Sequence, residues 1–332
     1  MKKKLAILGA GRIGQVHARA IASNPTAELV AIFDPVKDAA EAVTSQFGGK
    51  ISDIDSIVAD TSIDAVILCT PTDMHADQIE LFARNGKAIF CEKPIDLDAA
   101  RVRSCLDVVA ATKAKLMVGF NRRYDPHFMA LKAAIADGQI GRPEMGVITS
   151  RDPAAPPAEY ILRSGGIFRD MMIHDIDMAV FLMGAMPISV MATGAVLTDP
   201  DISTLNDFDS ATAILKWSDG RQVSISNSRR AVYGYDQRIE IHGSDGMVQA
   251  HNERPVNIET ATSQGYQRAP LHDFFMTRYV RAYANEIDAF ISSISDDTTD
   301  IPTGQDGLNA LLIADAALES AHSGQAVQIN QD

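Results

Sequence analysis

Asp170 and His174 stand four residues apart in Phe168-Arg169-Asp170-Met171-Met172-Ile173-His174-Asp175, a run that follows Gly165-Gly166 and has the composition of a helix continuing to Phe181. On a helix this spacing brings both side chains to one face. An imidazole has a pKa near working pH, and a neighbouring carboxylate sets its tautomer and basicity, so the couple is suited to accept a proton. Lys93, in Glu92-Lys93-Pro94, adds a cation of the kind that stabilises a developing alkoxide. Oxidising a secondary alcohol by hydride transfer calls for both, a base for the hydroxyl proton and a positive charge beside the oxygen. Taken singly, each residue has a structural reading open to it: Lys93 as a solvated surface lysine, Asp170 as a helix N-cap, His174 as a satisfied core histidine.

A partner for such chemistry is legible at the amino terminus. Gly9-Ala10-Gly11-Arg12-Ile13-Gly14 fits GxGxxG and lies directly between a predicted strand at 5–8 and a predicted helix at 13–22. In that context the first glycine makes a tight turn, the second admits a pyrophosphate close to the backbone, and the third lets helix and strand pack closely; the phosphates meet the helix N-terminus. Twenty residues beyond Gly14, Asp34 ends the second strand, where a carboxylate accepts hydrogen bonds from ribose hydroxyls and repels a 2′-phosphate. These residues predict NAD rather than NADP. The glycines are also compatible with plain turns, and Asp34 with an N-cap before Pro35. Arg12 is equally compatible with a solvent-facing role and with reaching a phosphate of NADP.

The elements that must position these residues follow from the apolar pattern. Strands at 28–33, 65–69 and 88–91 alternate with helices at 38–47 and 74–85, these elements closed by glycine or proline, and a helix at 98–112 and a strand at 116–120 extend the same pattern. The strands are apolar throughout, as in a parallel sheet covered on both faces. Lys93 then follows a strand's carboxyl end, where side chains face the ligand crevice of such sheets. Beyond a boundary near residue 120 the character changes. A helix at 125–136 is followed by strand-like segments at 144–150, 188–197, 210–217, 222–228, 237–242 and 247–250, several alternating apolar and polar residues as one-sided antiparallel strands do. Helices are predicted at 274–294 and 304–322, and a loop over 154–163. The fold class is therefore α/β: an N-terminal Rossmann domain with a parallel sheet at 1–120, and a C-terminal α+β domain with a large open, mostly antiparallel sheet at 121–332. The final helix is expected to pack back on the first domain.

Composition narrows the rest. A chain of 332 residues suggests about two domains, and 46% hydrophobic with 22% charged residues is the balance of an ordinary globular protein. A net charge of -13 repels phosphate backbones and anionic lipid surfaces, which argues against nucleic acid or a membrane as partner. No apolar run approaches the roughly 18 residues of a spanning helix, and the lysines before residue 5 lead into a short buried strand rather than a secretory leader. Cys69, Cys91 and Cys105 form no CxxC pair and are odd in number, as expected in a reducing cytoplasm. Asp175 and Asp177 cluster in sequence with Asp170 and His174, but a nicotinamide acceptor and Lys93 make a metal unnecessary, and none is expected. His17, His127 and His242 are scattered and are assigned no chemistry.

The chain resembles the Gfo/Idh/MocA oxidoreductases, and among them the inositol 2-dehydrogenases, over nearly its whole length. The resemblance rests on GxGxxG, Thr70-Pro71-Thr72-Asp73-Met74-His75, Glu92-Lys93-Pro94, Gly119-Phe120-Asn121-Arg122-Arg123-Tyr124-Asp125, Gly165-Gly166-Ile167-Phe168 with Asp170 and His174, and Tyr233-Gly234-Tyr235-Asp236-Gln237-Arg238. It implies that Lys93 contacts the reacting hydroxyl and that Asp170 and His174 form the proton-accepting dyad, with His174 the base. It further implies cofactor contacts from Thr70, Pro71, His75, Glu92, Lys93 and Asn121, and substrate contacts from Arg122, Asp152 and Tyr235. The implied reaction is NAD-dependent oxidation of a cyclic polyol, myo-inositol to 2-keto-inositol, by a homotetramer or dimer whose open sheet pairs with another subunit. Other inositol isomers, an aldose such as glucose or galactose, or a non-catalytic NAD-binding regulator are the alternatives. Departures from the inositol pattern lie at Ser150-Arg151-Asp152-Pro153, where His-Arg-Asn-Pro is common, at Met171 in place of a polar residue, and in the longer segment 154–163.

Overall fold

A computed structural model describes residues 2–330; Met1, Gln331 and Asp332, which the sequence-based domain limits include, lie outside the described residues. Strands Lys3–Leu8 (β1), Ala27–Phe33 (β2), Lys50–Ile51 (β3), Ala65–Leu68 (β4), Ala88–Glu92 (β5) and Leu116–Gly119 (β6) pair in parallel in the order β3-β2-β1-β4-β5-β6. The crossovers are helices Arg12–Ser23 (α1), Lys37–Phe47 (α2), Ile54–Ala59 (α3), His75–Arg84 (α4) and Ala99–Thr112 (α5). Leu5 to Leu8 and Ala65 to Leu68 are fully buried, which explains why these strands lack polar alternation: helices cover both faces. Strand order reverses between β1 and β4, the point where ligands meet the carboxyl ends of such sheets.

The chain continues through Pro126–Ala136 (α6), Pro143–Arg151 (β7), Ala158–Ser164 (α7), a π-helical turn at Phe168–Met172, Ile173–Met183 (α8), Ser189–Ala195 (β8), Ser210–Lys216 (β9), Gln222–Ser228 (β10), Asp236–Gly243 (β11) and Gly246–Ala250 (β12). A hairpin of Glu259–Thr262 (β13) and Gly265–Arg268 (β14) follows. Phe275–Arg278 (α9), Val280–Ser293 (α10), Gly304–Ser323 (α11) and Val327–Gln328 (β15) complete the described chain.

Two compact units result: the chain up to Asp125 together with Val280–Leu311, and Pro126–Tyr279 together with the chain from Leu312 onward. In the first, Ile287, Phe290 and Ile291 of α10 join Ile7, Ala18, Ile21 and Phe90 in one core cluster, with the Phe90 and Phe290 rings edge to face at 5.7 Å. The amide of Asn24 donates to Asp288 on the same helix. Burial of each such side chain contributes about 1.5–3 kcal/mol, enough to hold α10 against α1 although they are far apart in sequence.

The second unit is built on a sheet ordered β12-β11-β7-β10-β9-β8-β15, in which β7 and β10 pair in parallel and the other neighbours are antiparallel. The expected fold class, a parallel Rossmann sheet followed by an α+β unit with a mostly antiparallel sheet, is borne out. Ile148, Val223, Ile225, Leu215, Ile239 and Ile241 are buried on one face, whereas Met145, Val147, Met191, Ile214 and Met247 are exposed. That alternation is the period-two signature of one-sided strands.

Local structure departs from the sequence pattern at four places. The helix predicted over 274–294 is broken at Tyr279, whose φ of -106° and ψ of 22° are not helical; its ring is buried against Tyr235 and stacked by Arg278. The segment predicted as a loop over 154–163 contains α7, entered from Pro157 and stopped by Gly165 in the left-handed region at φ 82°. The stretch over 168–181 begins with the π-helical turn rather than as one α-helix. The hairpin β13–β14 and the two-residue β3 and β15 carry few apolar residues, and α3 is only six residues long, so none stands out in sequence.

Candidate active site

In the first unit, the glycine loop has the geometry its pattern demands. Gly9 adopts φ 96°, and a Cβ there would strike the main chain of Cys69 and Thr70; a Cβ on Gly14 would strike the carbonyl of Gly9. Gly11, by contrast, faces open space, with nothing within 4 Å of where its Cβ would be. As N-cap of α1 it offers no side-chain cap, so the first amides of the helix, from Arg12 and Ile13 on, point outward for an anion. Asp34 ties this loop to the end of β2, its carboxylate accepting from Ala10 N at 2.6 Å and Val36 N at 2.8 Å. It is not the cap of α2, whose N-cap is Val36.

The loops after β4, β5 and β6 carry the remaining first-unit candidates. Thr70 Oγ1 donates to Gln78 at 2.7 Å, and Pro71 opens a short 3-10 turn at Thr72–Met74. His75 is buried with Nδ1 2.8 Å from Pro94 O and Nε2 2.7 Å from Thr70 O, so its ring clamps the β4 loop to the segment carrying Lys93. Burial pushes the His75 pKa down, more than the two carbonyls push it up, and a neutral ring donates to one of them at a time. Glu92 Oε1 meets His17 Nε2 at 2.6 Å, and its carboxylate packs on Gly119, where a Cβ would lie 3.2 Å from Oε2. Lys93 follows at the carboxyl end of β5, half-buried, before a cis peptide to Pro94. Asn121 and Arg122 are buried in the 3-10 turn that follows β6. The Asn121 side-chain nitrogen has no hydrogen-bond partner among the described residues, leaving a buried donor beyond the carboxyl end of β6 that a bound ligand can satisfy. The open space at Gly11, the uncapped helix end and this orphaned donor fit NAD.

In the second unit, the π-helical turn carries Asp170 and α8 carries His174, both partly exposed. Turns of this kind recur at functional sites because they displace side chains from the regular helical register. Asp170 accepts from Tyr160 Oη at 2.8 Å through Oδ1 and from Arg229 Nη1 at 3.5 Å through Oδ2. It therefore serves as a hydrogen-bonded carboxylate inside the turn, not as a cap. Gly166, at φ 79°, lies where a Cβ would run into Asp207, and Asp207 Oδ1 accepts from Ile167 N at 2.9 Å. Asp175 is a structural anchor, accepting from Ser150 Oγ at 2.6 Å and Asn227 Nδ2 at 2.7 Å. Ser150, one of the departures from the inositol pattern, is thus committed to a buried network that also includes Gln237. Asp152 follows β7, its main-chain N–H donating to Ser228 O, and Tyr235 packs its buried ring against Phe274 and Tyr279.

Sequence reasoning singled out Asp170 and His174 but not Tyr160, Asp207, Arg229 or Asn227, and it named Ser150 and Gln237 only as parts of longer motifs, without their contacts to Asp175 and to each other. Nothing in the polar tract Ser228-Arg229-Arg230 marks Arg229 as buried and Arg230 as exposed.

Residues 3–120 match the profile described as Oxidoreductase family, NAD-binding Rossmann fold, and residues 132–329 match Oxidoreductase family, C-terminal alpha/beta domain. The chain is 61% identical over 329 residues, 99% of its own length and 100% of the relative's, to the inositol 2-dehydrogenase of Rhizobium meliloti (strain 1021). Among solved structures, it is similar to a myo-inositol dehydrogenase from Corynebacterium glutamicum ATCC 13032, at TM-score 0.95 and 42% identity with 100% of both chains covered. It is also similar to a scyllo-inositol dehydrogenase from Lactobacillus casei with bound NAD(H) and scyllo-inositol, at TM-score 0.92 and 30% identity over 99% of each chain. With both profiles matched and the glycine loop and parallel sheet in place, the chain belongs to the Gfo/Idh/MocA oxidoreductase family, an NAD-binding Rossmann fold followed by that family's C-terminal alpha/beta domain.

Proposed function

We propose that this protein is an NAD-dependent dehydrogenase that oxidises a ring hydroxyl of a cyclic polyol, myo-inositol to 2-keto-inositol. The observation that carries this reading is the full-length 61% identity to an inositol 2-dehydrogenase. The fit of the glycine loop, Asp34 and Asn121 to NAD supports it.

Bound at the glycine loop, NAD supplies the hydride acceptor. Lys93 sits beside the reacting hydroxyl and stabilises negative charge on its oxygen as the O–H bond breaks. An imidazole nitrogen of His174 takes the hydroxyl proton, and Asp170, held as an acceptor by Tyr160 and Arg229, favours the imidazolium that forms. Arg122, Asp152 and Tyr235 orient the ring, while Thr70, Pro71, His75 and Glu92 shape the cofactor's binding edge. Exposed Met145, Val147, Met191, Ile214 and Met247 on the open sheet face support pairing of this face with a second copy in a homotetramer or dimer. Three buried free cysteines support a cytoplasmic setting. Among the described residues no helix is long and apolar enough to cross a membrane.

A panel of myo-inositol, scyllo-inositol, glucose and galactose, followed by nicotinamide absorbance with NAD and with NADP, tests the proposal. Highest kcat/KM with myo-inositol and NAD is expected, together with a fall of about 10²-fold or more in Lys93→Ala and His174→Ala while NADH binding persists. A preference for scyllo-inositol, as in the Lactobacillus casei relative's complex, would move the substrate within the class. Tight NADH binding without oxidation of any polyol would overturn the enzyme reading in favour of a regulator.

A further inference from the structure

Arg229 follows β10 and is anchored by its own N–H, which donates to Asp209 O at 2.8 Å. Its guanidinium is buried, with 1% of the side chain exposed, between two carboxylates: Nη1 lies 3.5 Å from Asp170 Oδ2 and Nη2 lies 3.8 Å from Asp207 Oδ2. A guanidinium buried for stability is normally saturated with short, often bidentate hydrogen bonds, because desolvating the charge costs more than a loose ion pair returns. Here Nε and Nη2 have no hydrogen-bond partner among the described residues. The arrangement is a poor stabiliser, and what it does supply is a fixed positive charge against Asp170.

Asp207 completes the device. Its other oxygen accepts from Ile167 N, and Gly166 leaves room for it, so the same carboxylate that balances Arg229 also pins the start of the turn bearing Asp170. Tyr160 from α7 and Arg229, with Asp207 behind it, contact Asp170, His174 follows four residues on in α8, and the adjacent Arg169 is paired with Asp315 of α11.

We propose that Arg229 is a positioning residue for the reaction: with Asp207 it holds Asp170 as an ionised, acceptor-only carboxylate, so that the proton leaving the substrate hydroxyl resides on His174 and not on Asp170. This rests on the proposed role of Asp170 and His174 and adds the group that divides the labour between them. The proton is conserved throughout: it leaves the hydroxyl oxygen, binds the imidazole and returns to solvent, while Asp170 remains unprotonated.

Arg229→Gln and Arg229→Lys, with Asp170→Asn and the double variant Arg229→Gln/Asp170→Asn, test it. In Arg229→Gln, kcat/KM is expected to fall about 10- to 100-fold, as misplacing a catalytic group does, with NADH affinity unchanged. Losing a nearby cation raises the proton affinity of both Asp170 and His174, so the acid limb of the kcat/KM profile moves to higher pH. Arg229→Lys keeps the charge and leaves the acid limb in place with a smaller fall in kcat. On the Asp170→Asn background, Arg229→Gln should cost less than about 3-fold, since the partner is gone. A role confined to stability would lower the melting temperature without moving the acid limb. An inactive Asp170→Asn beside a wild-type rate and profile in Arg229→Gln overturns the inference and leaves the proposed function standing. An active Asp170→Asn overturns the dyad itself. Should Arg229→Gln fail to fold, Arg229→Lys decides: reduced kcat with a fixed acid limb supports the assignment, and wild-type kcat or a shifted limb overturns it.

Discussion

His17 Nε2 and Glu92 Oε1 lie 2.6 Å apart in the interior of the first unit, one residue before Lys93. A histidine that carried no functional signal in the sequence thus orients the glutamate of the Glu92-Lys93-Pro94 motif, with its ring packed edge-on against Phe90 and Tyr283.

Glu286 on α10 is fully buried, and neither carboxyl oxygen has a hydrogen-bond partner among the described residues. Burial first, and then the charge of Glu92, pushes its pKa well above the usual carboxylate range, so folding favours its neutral form. A carboxyl whose pKa rises on folding costs stability as pH climbs from its unfolded value, near 4.5, toward the folded one. Glu286→Gln, neutral at every pH, is therefore expected to raise Tm relative to the unsubstituted protein at pH 8 and to lose that advantage below about pH 4. Thermal melts at the two pH values check this, and an equal difference at both would refute it.

Gly11 and Gly14 predict opposite outcomes for the same substitution. Gly11→Ala adds a methyl group to open space and should change stability by no more than about 0.5 kcal/mol while weakening NADH binding about tenfold or more, by blocking the phosphates. Gly14→Ala drives its methyl into the Gly9 carbonyl and should destabilise the fold by about 1–3 kcal/mol. Melting curves paired with NADH titration of each variant separate the two; tight NADH binding by Gly11→Ala would place the phosphates elsewhere.

Asp34→Ala should lower the ratio of kcat/KM for NAD over NADP by about 10- to 100-fold, the worth of a charged hydrogen bond to ribose. Because Asp34 also accepts from Ala10 N and Val36 N, NAD affinity itself should drop. Steady-state kinetics with both cofactors measure this, and an unchanged ratio would mean that the carboxylate does not read the ribose.

Asp209 is fully buried in the second unit and accepts from the main-chain N–H groups of Leu197, Thr198 and Asp199. Burial raises its pKa, but these donors outweigh it and bring the carboxyl down to about 2. Stability from such a depressed group is present above its unfolded pKa and disappears as pH falls through the folded value. Asp209→Asn should cost about 2 kcal/mol at pH 7, with the difference shrinking from about pH 4 down to pH 2. Urea unfolding across that range reads it; a pH-independent difference would show that shape rather than charge is what matters there.

The Rossmann half of the molecule was legible because its signals are local. Each strand is apolar over its buried length, α1, α2 and α4 end at asparagine or glycine, and the glycine loop and Asp34 owe their functions to positions a few residues apart or at a fixed distance along one crossover. The sheet of the second unit was legible through its period-two alternation, yet α7, the π-helical turn and the break at Tyr279 were not. Each depends on packing that overrides local preference, as the buried Tyr279 ring does between Arg278 and Tyr235.

From its residues alone, this chain specified the NAD-binding loop, the two sheets and the lysine, aspartate and histidine that suit an alcohol oxidation. Tertiary structure alone decided that α10 returns to the first core, that Ser150 serves Asp175, and that Arg229 and Glu286 lose their water. Sequence periodicity records which face of an element is apolar, whereas the surroundings of a buried charged side chain depend on groups far along the chain, such as Asp170, 59 residues from Arg229, and Glu92, 194 residues from Glu286. Those long-range contacts set the charge environment of Asp170 and of Glu286.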